Sequence, residues 1–513
     1  MVYNLDMKII KYLFSRITLI ILAAVLEVII LVILYNYLMN LAGWIEIALH
    51  VLSIIIAITM INNSRHLSSD MLWILLVVIF PVPGTCIYLL LFSNLFTSRM
   101  YRKIVRETDT ASVYYKQDPE VMEKLNEEDP DLDGQFHYIS SSAGFPFYEN
   151  TSFAYYKCGE EGYPVMLAEL KKAEKFIFLE YFIIEEGVMW NGIHEILKQK
   201  AEEGLDVRVI YDDMGSISTI PVSYARKLEK EGIHCIRFNV INPLLNAVMN
   251  HRDHRKILVI DGKTAFSGGI NLADEYINVK KRFGYWKDNC YRVKGKAVWS
   301  YTVMFLTTWN AIRPADKDYT VFKAEIKETE KKDGYIAPYA ETPLDGETVG
   351  QNIYMNVLNS ANDYVYIFTP YLIIDTDLEN ALILTAKKGV DVRIITPGIP
   401  DKKIVWNITR SFYRNLIAGG VKIYEYTPGF DHAKVFVSDD RIATVGTLNL
   451  DYRSLYLHFE NGTYLYKCHE ISDIKADFLD ACSKSRCIRL DEIHENVFHR
   501  MLTGFLKLFA SEM

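Results

Sequence analysis

His254-Arg-Lys256-Ile-Leu-Val-Ile-Asp261 and His432-Ala-Lys434-Val-Phe-Val-Ser-Asp439 decide how this chain is read. Each is followed, after six residues, by a small pair and an asparagine: Gly268-Gly269-Ile-Asn271 and Gly446-Thr447-Leu-Asn449. One HxK is worthless as evidence, since many strands contain one by chance. Two complete copies with identical internal spacing are strong evidence. In a strand, His and Lys at i and i+2 point to one face. The apolar run that follows is the strand entering a core, and the small pair lets the backbone approach closely.

Outward from these segments the chain repeats itself. Phe176-Ile-Phe-Leu-Glu-Tyr-Phe-Ile-Ile matches Tyr364-Val-Tyr-Ile-Phe-Thr-Pro-Tyr-Leu-Ile-Ile, and both read as buried strands. Glu203-Gly-Leu-Asp-Val-Arg-Val-Ile then pairs with Lys388-Gly-Val-Asp-Val-Arg-Ile-Ile. Each half reads strand, helix, strand, helix, strand. The expected fold is therefore α/β: two pseudo-symmetric halves with mainly parallel sheets, at 136–330 and 331–513.

If the halves pack about a pseudo-twofold axis, the motifs meet in one pocket. Lys256, Lys434, Asn271 and Asn449 then supply donors for phosphate oxygens. One imidazole, His254 or His432, attacks phosphorus while the other protonates the leaving oxygen. Such imidazoles need the second ring nitrogen held by an acceptor. Asp288, in Gly284-Tyr-Trp-Lys-Asp288-Asn, is expected to orient His254. Glu460, in Leu457-His-Phe-Glu460-Asn, is expected to orient His432. No metal and no cofactor are expected, because lysines neutralise the phosphate charge.

These segments resemble the phospholipase D superfamily, and within it the bacterial cardiolipin synthases. The resemblance runs from about residue 68 to the C-terminus. Asn250-His-Arg-Asp-His254-Arg-Lys256 and Gly446-Thr-Leu-Asn-Leu-Asp-Tyr-Arg-Ser454 look like that subgroup's own variants, as does the Pro81-Val-Pro-Gly84 break. The stretch from Thr342 to Gly350 resembles the family only weakly. The resemblance implies a metal-free, two-step transfer through a phosphohistidine. One phosphatidylglycerol gives up its phosphatidyl group and releases glycerol; a second accepts it, yielding cardiolipin. It implies His254 as nucleophile and His432 as acid/base, an order the residues alone leave open. It also places Asp261 and Asp439 in the catalytic motif, although an aspartate ending a strand is more often a turn residue. A hydrolytic phospholipase D, with water as acceptor, is the alternative; a membrane-anchored nuclease of the same superfamily is a further one.

Composition narrows these readings. The 513 residues carry 56 Lys+Arg against 64 Asp+Glu, a net charge of −8, and half are apolar. Dominant disorder is excluded, and net acidity argues against a nucleic-acid partner. The seven cysteines are scattered, without a CxxC pair, so neither a disulfide framework nor structural zinc is expected.

Residues 1–106 read as an α-helical membrane region. Residues 17–38 and 44–61 are span candidates. Residues 71–96 are broken by Phe80-Pro-Val-Pro-Gly84 into halves too short to cross, which suggests a re-entrant segment. Lys8, Lys11, Arg16, Arg65 and the Arg99–Arg106 cluster place both ends of this region, and the catalytic body, on the cytoplasmic side of the cell membrane. Residues 107–135 read as an acidic linker. The apolar insert 239–250 suggests either acyl-chain entry or a packed helix, and 498–509 form an amphipathic stretch.

Overall fold

The computed structural model describes residues 43–63, 67–92, 98–241, 250–326, 334–493 and 497–509, with six isolated positions between 18 and 33. They fall into two compact units. One comprises the described residues of Met1–Arg99, Asn239–His251 and Gly504–Met513; the other comprises those of Met100–Phe238 and Arg252–Thr503.

In the first unit, α1 (Gly43–Asn63), α2 (Leu67–Ile79) and α3 (Pro81–Phe92) pack on one another. The chain breaks at Phe80 because Pro81 and Pro83 have no N–H to donate, and Pro81 is preorganised to start a new helix. α3 folds back on α2, and Gly84 lies against the Leu76 carbonyl, where a Cβ would collide. Along α1, Ser53, Ala57 and Met60 are buried, while Ile47, Val51, Ile54, Ile55, Ile58 and Ile61 are exposed. No helix among the described residues is long and apolar enough to cross a membrane. The first span candidate, 17–38, lies almost wholly outside the described residues, as does most of the 239–250 insert.

The second unit holds the duplication. Its first half contributes β1 (Thr151–Tyr156), β2 (Phe176–Tyr181), β3 (Asp206–Asp212), β4 (His234–Phe238), β5 (Lys256–Ile260), β6 (Thr264–Gly268), β7 (Tyr285–Lys287) and β8 (Cys290–Gly295). Its second half contributes β9 (Tyr335–Glu341), β10 (Tyr364–Phe368), β11 (Leu372–Ile373), β12 (Asp391–Pro397), β13 (Lys422–Tyr426), β14 (Gly429–Asp431), β15 (Val435–Ser438), β16 (Ile442–Gly446), β17 (Leu450–Asp451), β18 (Glu460–Tyr466) and β19 (Ser485–Cys487). The main sheets run β1-β8-β6-β5-β2-β3-β4 and β19-β13-β12-β10-β15-β16-β18-β9.

The sheets are mixed, not mainly parallel. Only β2-β3-β4 and β10-β12-β13 are parallel runs; every other neighbour in the two main sheets is antiparallel. A parallel neighbour needs a long crossover, which α4 (Val188–Glu202) supplies between β2 and β3. The three residues Asp261-Gly262-Lys263 between β5 and β6 permit only a hairpin.

That hairpin also corrects the reading of the motif aspartates as catalytic. Asp261 and Asp439 have φ of 54° and 53° and stand at the far ends of β5 and β15 from the lysines. The Asp261 carboxylate accepts from the N–H groups of Glu174, Lys175 and Phe176 at 2.7–3.0 Å. Asp439 does the same for Asn362, Asp363 and Tyr364 at 2.8–3.0 Å. Both clamp the turn that leads into the neighbouring strand, about five residues or roughly 17 Å of strand from the lysine end.

The two sheets share one core through α5 (Val298–Ile312), whose long run of apolar residues is buried almost throughout, as a helix apolar all round should be. Phe305 stacks on Phe178 at 4.6 Å, and Tyr301 bonds to Thr463 of β18. Residues 107–135, expected as a linker, are largely helical instead. Asp118 caps a helix at Pro119–Glu128, and Phe136 packs against Phe147 and Tyr466.

Candidate active site

Two short ribbons join the halves and bring the motifs together. β7 pairs in parallel with β14, Lys287 opposite Asp431, and His432 N–H donates to the Lys287 carbonyl at 2.6 Å. On the other side Asp253 bridges Phe459, and His254 N–H donates to the Phe459 carbonyl at 2.8 Å. One residue further along each ribbon, Asp288 meets His432 and Glu460 meets His254.

The orienting pairs are therefore crossed, the reverse of the pairing expected within each half. His254 Nδ1–H donates to Glu460, 2.8 and 2.9 Å from its two oxygens. His432 Nδ1–H donates to Asp288 Oδ2 at 2.6 Å. Comparable distance along the chain suggested pairing within a half, but the register of the ribbons points each carboxylate into the other. Both bonds leave Nε2 as the nitrogen with a lone pair.

The carboxylates have different seats. A Cβ on Gly269 would collide with Asp288 Oδ1, so only glycine leaves the shorter carboxylate its place. At the equivalent position Thr447 donates its hydroxyl to Glu460 Oε2. The Gly-Gly and Gly-Thr pairs thus differ for a reason: one vacates space and the other adds a donor.

Lys256 and Lys434 are buried, and each Nζ donates to the carbonyl of its own motif histidine, for Lys256 at 2.6 Å. Burial holds Lys256 down at about 7 and Lys434 at about 8, and the Lys434 ammonium pushes Lys256 further down. Burial also lowers both histidines, His432 to about 4, and Lys256 and Lys434 push both further down. The four groups are close enough to act on one another, and together these effects favour neutral imidazoles. Burial pushes Glu460 well above the usual carboxylate range, opposed by Lys256.

Asn271 and Asn449 are buried beside the motifs. Asn271 Nδ2 donates to the Tyr276 hydroxyl at 2.7 Å, and its Oδ1 accepts from Ile183 N–H at 3.1 Å. Asn449 Nδ2 donates to Ser454 Oγ at 3.0 Å. Tyr276 and Ser454 each follow their asparagine by five residues, a repeat visible in the sequence but overlooked. Sequence reasoning also missed His458, whose ring lies 5.7 Å from that of His254. Its counterpart, two residues before the other carboxylate, is Trp286, 5.4 Å from His432.

A family model described as cardiolipin synthase, PLD-like domain, matches residues 166–283 and 354–481, one match per half. A cardiolipin synthase of Halalkalibacterium halodurans is 32% identical over 91% of this chain and 94% of its own length. An uncharacterized protein of Streptococcus mutans is 45% identical over 88% of this chain and 98% of its own. Among solved structures, a phosphatidylserine synthase of Haemophilus influenzae shares the fold. It has a TM-score of 0.56 at 14% identity, covering 75% of this chain and 98% of that one.

Proposed function

Because the chain belongs to the cardiolipin synthase family of the phospholipase D superfamily, we propose that it transfers a phosphatidyl group from one phosphatidylglycerol to another, giving cardiolipin and glycerol. The observation that carries this reading is the pair of buried imidazoles, each held at Nδ1 by a carboxylate of the opposite half beside a buried lysine.

In the first step Nε2 of His254 attacks phosphorus. The P–N bond forms, the bond to the head-group glycerol breaks, and the leaving oxygen takes a proton from Nε2 of His432. The phosphodiester anion favours the protonated His432 ring against the burial and lysine charges that lower it, which lets it carry that proton. In the second step a hydroxyl of the second phosphatidylglycerol gives its proton to Nε2 of His432. Its oxygen attacks phosphorus, and the P–N bond breaks. Lys256, Lys434 and the amides of Asn271 and Asn449 hold the phosphate oxygens throughout. Glu460 stabilises the charge that develops on the His254 ring when it is phosphorylated, and Asp288 does so for His432.

The helices around residues 43–92 lie in the bilayer in this proposal, with the catalytic body on the cytoplasmic side. Support comes from α1, whose outward face is apolar while Ser53 and Ala57 are among its buried residues, and from the basic cluster Arg99, Arg102, Lys103 and Arg106.

The test is the purified full chain in phosphatidylglycerol vesicles. Cardiolipin plus free glycerol is the expected product pair. Phosphatidic acid plus glycerol would make water the acceptor, and nuclease activity without lipid turnover would overturn the reading. Protein denatured rapidly in neutral detergent should carry phosphatidyl label on His254 that is lost on acid treatment, and that label should be absent from His254→Asn.

A further inference from the structure

The site holds a third imidazole that the transfer chemistry does not use. His458 is buried, with Nδ1 3.6 Å from Glu460 Oε1, and its Nε2 accepts from Arg453 Nε at 3.1 Å. His254 Nδ1 lies 2.8–2.9 Å from the same carboxylate. One ligand atom from each of His254, His458 and Glu460 falls within 4.8 Å of the others. Tetrahedral coordination at about 2.0–2.1 Å sets ligand atoms about 3.3–3.4 Å apart. The separations of the two ring nitrogens from Glu460 Oε1, 2.9 and 3.6 Å, bracket that value, and a closing movement of the two rings toward one another completes three corners of a tetrahedron. Among the described residues the other half has no such cluster, and the indole of Trp286, which stands where His458 does, offers no lone pair.

We propose that His254, His458 and Glu460 form a binding site for a borderline divalent transition-metal ion, zinc above all, and that its occupancy switches turnover off. Two imidazoles and one carboxylate form a ligand set that zinc favours, with a fourth position left for water. The metal bonds to Nδ1 of both rings and to one Glu460 oxygen, and each displaced Nδ1 proton moves to Nε2 of the same ring. For His254 that proton occupies the lone pair needed to attack phosphorus, which is why occupancy stops the reaction. For His458 it faces Arg453, which must give up its acceptor. Arg453 therefore opposes the metal, and its removal tightens the site.

The probes are cobalt(II) and zinc alone, on the full chain in detergent micelles or nanodiscs. The metal arm needs no assumption about which lipid is turned over. Wild type should take up one equivalent of cobalt(II), with the visible absorption of a low-coordinate nitrogen–oxygen site, and zinc should displace it. Zinc inhibition, read against each variant's own metal-free rate, should weaken at least ~100-fold in His458→Asn, beyond the loss usual for an outer-sphere partner. Arg453→Gln should strengthen it. In wild type, zinc should protect His254 and His458 from carbethoxylation while leaving His432 reactive, a readout that survives if a variant misfolds. An unchanged zinc constant in His458→Asn, no stoichiometric cobalt uptake, or equal protection of His432 would overturn the proposal.

Discussion

Glu460 and His254 belong to opposite halves of the duplication, yet Glu460 Oε2 stands 2.8 Å from His254 Nδ1. The reciprocal bond joins Asp288 to His432. Each half supplies one imidazole and the carboxylate that holds the other half's imidazole.

That crossing predicts which step each carboxylate governs. Glu460→Gln should impair formation of the His254 adduct, and Asp288→Asn should impair proton transfer through His432. Each should lower turnover by about 10²–10⁴-fold, as when an imidazole loses its orienting carboxylate. Single-turnover trapping of labelled lipid distinguishes them: little adduct in Glu460→Gln, and in Asp288→Asn an adduct that forms and decays slowly. The opposite assignment in that experiment would restore pairing within each half.

Substrate affinity should fall as pH rises. Burial holds Lys256 and Lys434 at about 7 and 8, below the ordinary lysine range. A phosphodiester anion favours their protonated forms, so binding takes up protons above these values. Affinity is therefore full below about pH 7 and declines through pH 7–9, by up to about tenfold per pH unit for each lysine. The apparent KM for phosphatidylglycerol at constant surface concentration checks this. A KM that improves with pH would contradict the sign.

The motif aspartates should matter for stability instead of chemistry. Asp261→Ala leaves three N–H groups without their acceptor and puts alanine at φ 54°. The cost should be about 2 kcal/mol, read as a melting point lower by a few degrees. The folded fraction should keep kcat within about threefold. A large loss of kcat at unchanged melting temperature would return Asp261 to the site.

The two carboxylate seats should fail differently. Gly269→Ala drives a Cβ into Asp288 and should cost about 10²-fold or more through the misplaced His432. Thr447→Gly removes one hydroxyl from Glu460 and should cost about tenfold, the worth of a hydrogen bond to a charged group. Equal effects would mean that the small pair serves only backbone packing.

The histidines and lysines were legible because two complete motifs with the same spacing leave little to chance. The sheet direction was not. Ile257 to Ile260 read as a buried strand in either orientation, and only the three-residue turn at Asp261 decides it. The crossing of Asp288 and Glu460 was hidden because it depends on the register of β7 against β14 and on the Asp253–Phe459 bridge, contacts between residues over 140 positions apart. His458 sits between Leu457 and Phe459 as a lone polar residue; setting it beside Trp286, two residues before the other carboxylate, would have exposed it.

The ribbons that clasp the halves also constrain any exchange of parts between relatives. A transplanted half arrives with its own carboxylate seat intact, aspartate above Gly269 or glutamate under the Thr447 hydroxyl. The ring it must serve belongs to the resident half. Chimeras made at the junction will therefore be limited by the fit of a foreign imidazole to an inherited cradle, so the two copies of the motif have to change in step.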